Sequence, residues 1–348
     1  MSIMVKYSII GSFVFGRQTF SGQSIKTRSF ADTLEAAVAP DKIQRIDTRG
    51  WKRHPLSLIR KIGKALGESE EIVILPAHRG VLVIPRLLIA LRGRRTCRLR
   101  YVVIGGWLHE DLNKHPRLKE TLKRFDGIYV ETESMKRELE RDGFQNIIVL
   151  PNFKNIQVLS PSELVYTDRE PFRLCTFSRV LREKGVGDAV EAVEKANHAL
   201  GRIAFELDIY GQVDSSPEQS AWFEGLRKTF PPYVRYMGAV DGARSTTVIR
   251  DYFALLFPTY YLGEGYPGTL LDAFSAGVPA IASDWRYNAE IIGEDKGLVF
   301  PAHDAEALSQ VLVRVAKDPE LLNRKKPACL AYANRLKPEE LIKLFLES

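Results

Sequence analysis

Residues 263–279 have the sequence Gly-Glu-Gly-Tyr-Pro-Gly-Thr-Leu-Leu-Asp-Ala-Phe-Ser-Ala-Gly-Val-Pro and join two strand-like apolar runs, 252–258 and 280–282. Three glycines in the first six positions remove side-chain bulk, so a ligand can approach the backbone closely. The pattern is helical from Pro267 onwards, because proline suits a first helical turn, and Gly277 ends the helix. A helix that begins beside a ligand offers unpaired N–H groups and a positive dipole end, which favour phosphate. The stretch therefore predicts a phosphate-binding strand–loop–helix or, alternatively, an ordinary crossover with solvated acids.

Strands and helices alternate along the rest of the chain, which predicts two doubly wound α/β domains. A first strand runs into a glycine- and serine-dotted loop (15–24) and then a helix, but the spacing is not G-x-G-x-x-G, so no dinucleotide site is predicted. Residues 160–171 are polar, contain proline and lack periodicity, as an interdomain linker does. We expect an N-terminal domain at 1–165, a C-terminal domain at 166–336, and a last helix, 337–348, that packs back towards the first domain.

Apolar patterning places the individual elements. Strands are predicted at 4–10, 42–47, 71–75, 99–104, 125–130, 147–150, 172–178, 204–210, 233–238, 252–258, 280–282 and 298–300. Helices are predicted up to about 37 and at 55–66, 81–91, 134–142, 188–199, 220–228, 267–276, 304–317 and 319–336.

Composition and charge narrow the class of protein. The 348 residues are 45% hydrophobic and 27% charged, as in ordinary globular proteins, and no apolar run is long enough to span a bilayer. Three scattered cysteines form no metal-ligand spacing, and the N-terminus has no signal-peptide pattern, so we expect a cytoplasmic protein.

The net charge is unevenly distributed along the chain: residues 1–165 hold 28 Lys and Arg against 17 Asp and Glu, a net +11, although the whole chain carries +7. We expect the first half to meet an anionic partner, and no nucleic-acid-binding motif accompanies the charge.

One segment offers two interpretations. An apolar run from Ile84 leads into five arginines that end at Arg100. This could be a surface-docking helix whose cations face anionic lipid, which would place the protein peripherally on the inner face of the plasma membrane. It could equally be a core helix whose C-terminal arginines complement the helix dipole.

The motifs together resemble the retaining nucleotide-sugar glycosyltransferases of the GT-B fold, whose signature is Glu, seven residues, Glu. The resemblance covers nearly the whole chain and is strongest over 264–279, followed by Ser178-Arg179 through Lys184-Gly185. It is closest to members that build bacterial capsule, exopolysaccharide or lipopolysaccharide. Asp272 departs from the signature, which usually has Glu, although a carboxylate that can accept from ribose hydroxyls is retained.

The resemblance implies a fold and a site. The fold is GT-B, two Rossmann-like α/β domains that face each other across a cleft. Arg179 and Lys184 would neutralise charge on the departing diphosphate, and Glu264 would contact the donor sugar and its cationic transition state. His109 is the candidate histidine near the reacting sugar, with His78 as its rival. The remaining candidates for holding the donor are Gly265, Tyr266, Pro267, Gly268, Thr269, Asp272, Gly211, Val240, Gly22 and Gln23.

The implied function is transfer of a hexose from a UDP- or GDP-sugar, with retention, to a growing and lipid-linked cell-surface polysaccharide. In this family the leaving diphosphate itself takes the acceptor proton, so Glu264 is not cast as a nucleophile. No cofactor and no metal are expected, because the two cations and the helix dipole act on the phosphates. The alternatives are a nucleotide-sugar epimerase, a phosphorylase, which would need a pyridoxal lysine and a longer chain, and a catalytically silent partner subunit.

Overall fold

The structure, a computed structural model, describes residues 5–16, 22–76 and 78–348. The chain divides into two compact units: the first ends at residue 154 and takes up 337–348, and the second comprises 155–336. The division therefore lies before the polar stretch expected to be the linker. Two hydrogen bonds give the reason, because Leu159 N donates to Ser275 O (2.9 Å) and Thr246 Oγ1 donates to Gln157 O (3.0 Å), which attaches 155–165 to the second unit.

The first unit contains a six-stranded parallel sheet in the order β2-β1-β3-β4-β5-β6. The order reverses between β1 and β3, which are neighbours in the sheet. In open parallel sheets such a switch point leaves a crevice at the carboxyl ends of the strands, where ligands bind. The strands are β1 (Val5–Gly11), β2 (Ile43–Asp47), β3 (Ser69–Leu75), β4 (Arg98–Val102), β5 (Gly127–Val130) and β6 (Ile147–Val149).

Eight α-helices belong to the described part of the first unit. The last of them, at the C-terminus of the chain, carries the number α16 because helices are numbered in chain order. They are α1 (Gly22–Val38), α2 (Pro55–Glu68), α3 (His78–Val81), α4 (Ile84–Arg92), α5 (Leu108–Lys114), α6 (Pro116–Leu122), α7 (Glu133–Arg141) and α16 (Pro338–Glu347), with a 3-10 helix at Pro40–Lys42.

The second unit repeats the design with strand order β12-β11-β10-β7-β8-β9, all parallel. Counted within the unit, this is the 3-2-1-4-5-6 order of dinucleotide-binding folds, and its switch point lies between β7 and β10. The strands are β7 (Phe172–Phe177), β8 (Phe205–Tyr210), β9 (Val234–Gly238), β10 (Ala254–Phe257), β11 (Ala280–Ser283) and β12 (Gly297–Phe300). All twelve predicted strands are confirmed to within two residues at each end.

The helices of the second unit cover both faces of this sheet, as the continuous apolar strands require. They are α8 (Val186–Leu200), α9 (Pro217–Arg227), α10 (Ser245–Ile249), α11 (Gly268–Ser275), α12 (Asn288–Ile292), α13 (Ala305–Lys317), α14 (Glu320–Asn323) and α15 (Lys326–Arg335). The 3-10 helices are Pro161–Glu163, Arg182–Lys184 and Gly242–Arg244.

Proline divides two of the predicted helices. The expected helix at 319–336 is two helices, α14 and α15, because Pro327 lacks an N–H and its ring clashes with the carbonyl four residues back. Proline is tolerated in a first turn, and Pro327 lies in the first turn of α15. Pro85 acts in the same way at the start of α4, so the helix expected at 81–91 begins at Ile84.

The core-helix interpretation of Ile84–Arg100 is the one that the structure supports. Ile84 and Leu88 are buried, and Arg95 Nη1 donates to the carbonyl of Leu91 (2.8 Å) at the C-terminal end of α4. Arg100 lies on β4 with its guanidinium buried, 2.7 Å from Glu71. Its charge is therefore neutralised inside the unit, and the segment does not form a continuous cationic surface.

Helix α16 packs on the first unit, although it follows the second in sequence. The Phe345 ring lies 5.0 Å from that of Phe30 on α1 and 4.8 Å from that of Tyr129 on β5. The carbonyl of Phe345 accepts a hydrogen bond from buried Arg100 (2.7 Å). In the described part of the chain no helix is both long enough and apolar enough to cross a membrane.

Candidate functional site

The switch point of the second unit brings two loops together. One follows β7 and carries Arg179 and Lys184, and the other follows β10 and carries Glu264. Because β7 and β10 are adjacent and parallel, both loops leave the same edge of the sheet. Lys184 and Glu264 are 80 residues apart in sequence, and the fold therefore makes them neighbours in space.

Lys184 and Glu264 form an ion pair at this edge. The Glu264 carboxylate is only 6% exposed and also accepts a hydrogen bond from Thr259 Oγ1 (3.0 Å). The Lys184 ammonium lies 4.9 Å from the centre of the Tyr261 ring, which places it against an aromatic face. A buried carboxylate needs such partners, since an unpaired buried charge is strongly destabilising. The glutamate is thus held in place by two donors, Lys184 and Thr259.

A glycine allows the two loops to approach this closely. Gly185 has a φ of 72°, and a Cβ there would lie 2.0 Å from the carbonyl oxygen of Pro258. Only glycine combines that backbone conformation with that contact. The amide of Tyr260 donates to the carbonyl of Glu183 (2.8 Å), which fixes the β10 loop against the turn that carries Lys184.

Arg179 lies beside the same pair. Its guanidinium carbon is 5.9 Å from the centre of the Tyr261 ring, so the two cations converge on one aromatic side chain. Arg179 Nη1 is 3.3 Å from Asp214 Oδ2, and the Arg179 side chain is more than a third exposed. Hydrogen bonds from Ser216 and the charge of Arg179 lower the pKa of Asp214. An exposed guanidinium held at one end by a carboxylate can still turn towards an anion.

Helix α11 begins at the same edge, with Pro267 as its N-cap residue. Thr269 Oγ1 donates to the carbonyl of Phe177 at the end of β7 (2.5 Å), which positions the first turn over the switch point. Tyr266 is buried, and its hydroxyl donates to Tyr332 on α15 (3.0 Å). Tyr266 therefore anchors the loop, while the backbone from Gly265 to Gly268 leads into the helix N-terminus.

Asp272 lies in the interior of α11. It is 3% exposed, and its Oδ1 accepts a hydrogen bond from Ser245 Oγ on α10 (2.9 Å). The carboxylate therefore joins two helices of the unit. Its role towards the ribose stays a prediction from the resemblance.

Two further predicted positions follow β8 and β9. Gly211 has a φ of 141°, and a Cβ there would lie 1.7 Å from the carbonyl oxygen of Ser178, so the end of β8 lies directly against the end of β7. Gly211 N donates to Gly238 O (2.9 Å), and Val240 follows two residues later, half-buried. These backbone segments extend the site along the sheet edge from β10 and β7 to β9.

The two candidate histidines of the first unit lie in different settings. His109 is on helix α5 and not, as expected, in a loop; its Nδ1 is 2.8 Å from Asp142 and its Nε2 is 3.3 Å from Asn113. His78 is the first residue of the short helix α3, three residues after β3 ends at the switch point, and its ring lies 4.0 Å from that of Trp107.

His78 also has a carboxylate neighbour. Its Nδ1 is 2.9 Å from Asp111 Oδ2, and the His78 side chain is about half exposed. Burial raises the pKa of Asp111. Of the two histidines, His78 is therefore the one with an accessible ring at the switch point.

The remaining candidates lie at the start of α1. Gly22 is exposed and opens the helix, and Gln23 is half-buried, with an amide nitrogen that finds no partner among the described residues. Residues 17–21 of the loop predicted to shape this region lie outside the described residues. Within the described ranges, no group of three or more His, Cys, Asp or Glu side chains is arranged to hold a metal ion.

Sequence reasoning did not single out Thr259 or Tyr261. Both contact the predicted pair, Thr259 through a hydrogen bond to Glu264 and Tyr261 through its ring beside Lys184. The sequence signal that could have indicated them is their position between strand β10 and the glycine loop. Ser245, the partner of Asp272, lies 27 residues away from it and carries no sequence signal.

The chain is similar in sequence to known glycosyltransferases. Residues 171–318 match the family model described as glycosyl transferases group 1. The chain is 28% identical over 193 residues to the GtfA subunit of the UDP-N-acetylglucosamine–peptide N-acetylglucosaminyltransferase of Streptococcus gordonii, covering 54% of this chain and 36% of that protein. It is 26% identical over 156 residues to the amylovoran biosynthesis glycosyltransferase AmsK of Erwinia amylovora, covering 42% and 37% of the two chains. The chain thus spans well under half the length of these curated relatives in the matched regions.

The fold likeness extends further than the sequence likeness. The structure of Anabaena HepE in complex with UDP and glucose matches with a TM-score of 0.73 at 12% identity, over 99% of this chain and 98% of that one. At that identity the match speaks for the fold alone. It confirms the predicted fold class, with two Rossmann-like α/β domains over essentially the whole chain.

Proposed function

We propose that this chain is a group 1 glycosyltransferase, the family whose model matches residues 171–318, and that it transfers a sugar from a nucleoside diphosphate sugar to an acceptor hydroxyl with retention of configuration. The second unit would bind the donor and the first unit the acceptor. The donor nucleotide would be UDP or GDP, and UDP is favoured because the similar HepE and GtfA structures contain it.

One observation carries this proposal: the Lys184–Glu264 pair and Arg179 surround one tyrosine ring at the switch point between β7 and β10. Two cations and the N-terminus of α11 at one sheet edge suit a diphosphate. A buried acid within reach of the same edge suits the hydroxyls and the positive charge of a reacting sugar. Neither group alone would indicate a sugar donor.

In the proposed reaction the bond between the anomeric carbon and the diphosphate oxygen breaks, and a bond to the acceptor oxygen forms on the same face. The acceptor proton moves to the departing diphosphate, so no protein nucleophile is required. Arg179 and Lys184 would neutralise the negative charge that grows on the leaving oxygens.

The ion pair suggests how the site receives its donor. Before binding, Glu264 holds the Lys184 ammonium. A diphosphate carries more negative charge than one carboxylate, so we expect Lys184 to shift its contact towards the phosphate. Thr259 would continue to donate to Glu264 and keep its carboxylate aimed at the sugar.

For the acceptor we propose a growing, lipid-linked cell-surface saccharide. The support is that relatives are named for amylovoran biosynthesis and for O-antigen chain mannosyl transfer. His78 is our candidate in the first unit for a hydrogen bond near the reacting centre, because it lies at the switch point with an accessible ring. A protein acceptor is the second candidate, since the GtfA relatives are named for transfer to peptide.

The test is release of nucleoside diphosphate from UDP- and GDP-sugars in the presence of lipid-linked or peptide acceptors. We expect Lys184→Ala and Glu264→Ala to lower kcat/KM by about 10²- to 10³-fold, as removal of one charge-stabilising group does. Lys195→Ala and Glu191→Ala on α8, which remove an exposed ion pair of the same unit, serve as matched controls and should leave activity unchanged.

The other candidate functions give different results in this assay. An epimerase would convert the donor sugar without releasing nucleotide, and a silent partner subunit would bind the donor without turnover. Equal activity of wild type, Lys184→Ala and Glu264→Ala would show that the site lies elsewhere.

A further inference from the structure

Helix α2 of the first unit has an apolar face that the fold leaves uncovered. Leu58, Ile62 and Leu66 pack into the core, whereas Leu56 is 79% exposed and Ile59 is also exposed. On a helical wheel Leu56 and Ile59 adjoin each other at one border of the buried side, where Ile59 lies next to Leu66. Exposed apolar side chains that neighbour one another on a helix indicate a contact surface more than isolated ones do.

Cations surround this face. Residues 48–67, which include the loop before α2 and nearly all of the helix, contain six Lys and Arg and no Asp or Glu. Lys64 contacts Glu68 (3.8 Å), but no ion pair among the described residues involves Lys52, Arg53, Arg60 or Lys61. The cations are therefore available to an anionic partner.

The loop that leads into α2 adds an aromatic side chain and a recess. Residues Arg49 to Arg53 line a hollow of about 400 Å³, and the Trp51 ring lies 6.0 Å from the Lys52 ammonium. Tryptophan favours the boundary between headgroups and acyl chains, where one end of the ring is apolar and the other is hydrated.

We propose that residues 49–64, the basic α2 surface, bind the protein to a membrane that contains anionic lipid. Lys and Arg would contact the headgroups, and Leu56, Ile59 and Trp51 would enter the boundary region. This is the arrangement of an in-plane amphipathic helix, with apolar insertion and electrostatic attraction acting together. A nucleic acid would use the cations but would give Leu56 and Ile59 no apolar environment. The inference does not depend on the transfer reaction.

The experiment is flotation of the purified protein with vesicles of phosphatidylcholine alone or with a third of phosphatidylglycerol. We expect binding to the anionic vesicles that weakens at high salt. Replacing three cations (R60Q, K61Q and K64Q) should weaken it about a hundredfold, since each cation near an anionic surface contributes about fivefold. Leu56→Ser with Ile59→Ser should weaken binding at least tenfold at unchanged charge.

The matched control is Arg94→Gln with Arg95→Gln, which removes two cations from the segment after α4. It should bind within about twofold of wild type, and all replaced side chains are exposed or half-buried, so the variants should fold. Brominated lipids should quench the protein fluorescence, and Trp51→Phe should abolish most of that quenching.

Several results would overturn the proposal. They are absence of binding to anionic vesicles, equal binding to neutral ones, equal losses in the R94Q/R95Q control, and retention of full binding by the Leu56/Ile59 variant. Preferential binding of RNA or DNA that vesicles do not displace would assign the surface to a nucleic acid instead.

Discussion

At the scale of single residues, the site depends on a buried carboxylate that has two different partners. Glu264 accepts from Thr259, which is fixed within the second unit, and from Lys184, which a phosphate can attract. A carboxylate with only the lysine would lose its partner when the donor binds. In the proposed site, Thr259 would therefore allow Lys184 to move to the phosphate without leaving the buried Glu264 carboxylate unpartnered.

The glycine beside Lys184 gives a sharp prediction. In Gly185→Ala the new Cβ would meet the Pro258 carbonyl at 2.0 Å, so the turn must move away from β10. We expect a loss of about 2–4 kcal/mol in the free energy of unfolding together with a large loss of activity. Denaturant unfolding and the transfer assay measure both.

Its control is Gly201→Ala, at a φ of 67° but with nothing within 4 Å of the added Cβ. This variant carries the backbone strain without the clash, and it should lose about 1 kcal/mol and keep full activity. Equal effects of the two substitutions would mean that close packing against Pro258 does not position Lys184.

A buried lysine predicts a dependence of stability on pH. Burial lowers the pKa of Lys326, which is 1% exposed at the start of α15, to about 8 from 10.5. Below about pH 8 the Lys326 amine is charged in both the native and the unfolded chain, so the native state bears the full cost of burying that charge. Between about pH 8 and 10.5 the unfolded chain binds a proton that the native chain does not, so this group makes stability rise with pH.

Lys326→Met should therefore raise the free energy of unfolding at pH 7 by about 1–3 kcal/mol and flatten its rise between pH 8 and 10. Lys325→Met, at the neighbouring lysine, which is only half-buried, should keep the wild-type pH profile. Urea unfolding across that range distinguishes the two, and a wild-type profile for Lys326→Met would contradict the assignment.

Sequence reasoning predicted the charged residues of the candidate site but not the residues that contact and support them. Lys184 and Glu264 stand out because each belongs to a local motif after a strand. Thr259 and Ser245 do not, because their roles arise only when distant loops meet at the switch point. Both candidate histidines follow a predicted strand in the sequence. Only the observed strand order shows that β3, which precedes His78, borders the switch point of the first unit.

At the scale of elements, apolar periodicity and the positions of glycine and proline predict most of the strands and helices. Parallel strands buried on both faces appear as continuous apolar runs, so all twelve could be predicted. Short helices such as α5, α10 and α12 could not, since five to seven residues give too little periodicity. The helix α5 matters most, because it carries His109 away from the loop in which it was expected.

The C-terminal helix provides a prediction at this scale. Phe345 is fully buried among Phe30, Tyr129 and Arg100, so Phe345→Ala should cost about 3–5 kcal/mol of the first unit's stability. Leu344→Ala, at an exposed neighbouring position, should change it by less than about 0.5 kcal/mol. Hydrogen exchange should show the loss in β1, β4 and β5, and increased exchange only in the second unit would contradict the packing of α16.

At the scale of the whole molecule, the two units have the same architecture and different charges. The sequence up to residue 165 carries +11, and the basic α2 surface accounts for six of its cations. In the second unit the two cations of the proposed site instead lie together at one switch point, beside Tyr261. One fold thus supports two kinds of surface, and the site residues rather than the fold indicate the function.

The central claim is that Lys184, Arg179 and Glu264 form the binding site for a nucleoside diphosphate sugar. Isothermal titration calorimetry with UDP and GDP tests it most directly, in wild type, Lys184→Gln and the control Lys195→Gln. We predict that one of the two nucleotides binds wild type and the control equally, and that Lys184→Gln binds it about 10- to 100-fold more weakly, as loss of a charged hydrogen bond implies. Binding of neither nucleotide, or equal binding by Lys184→Gln, would contradict the account.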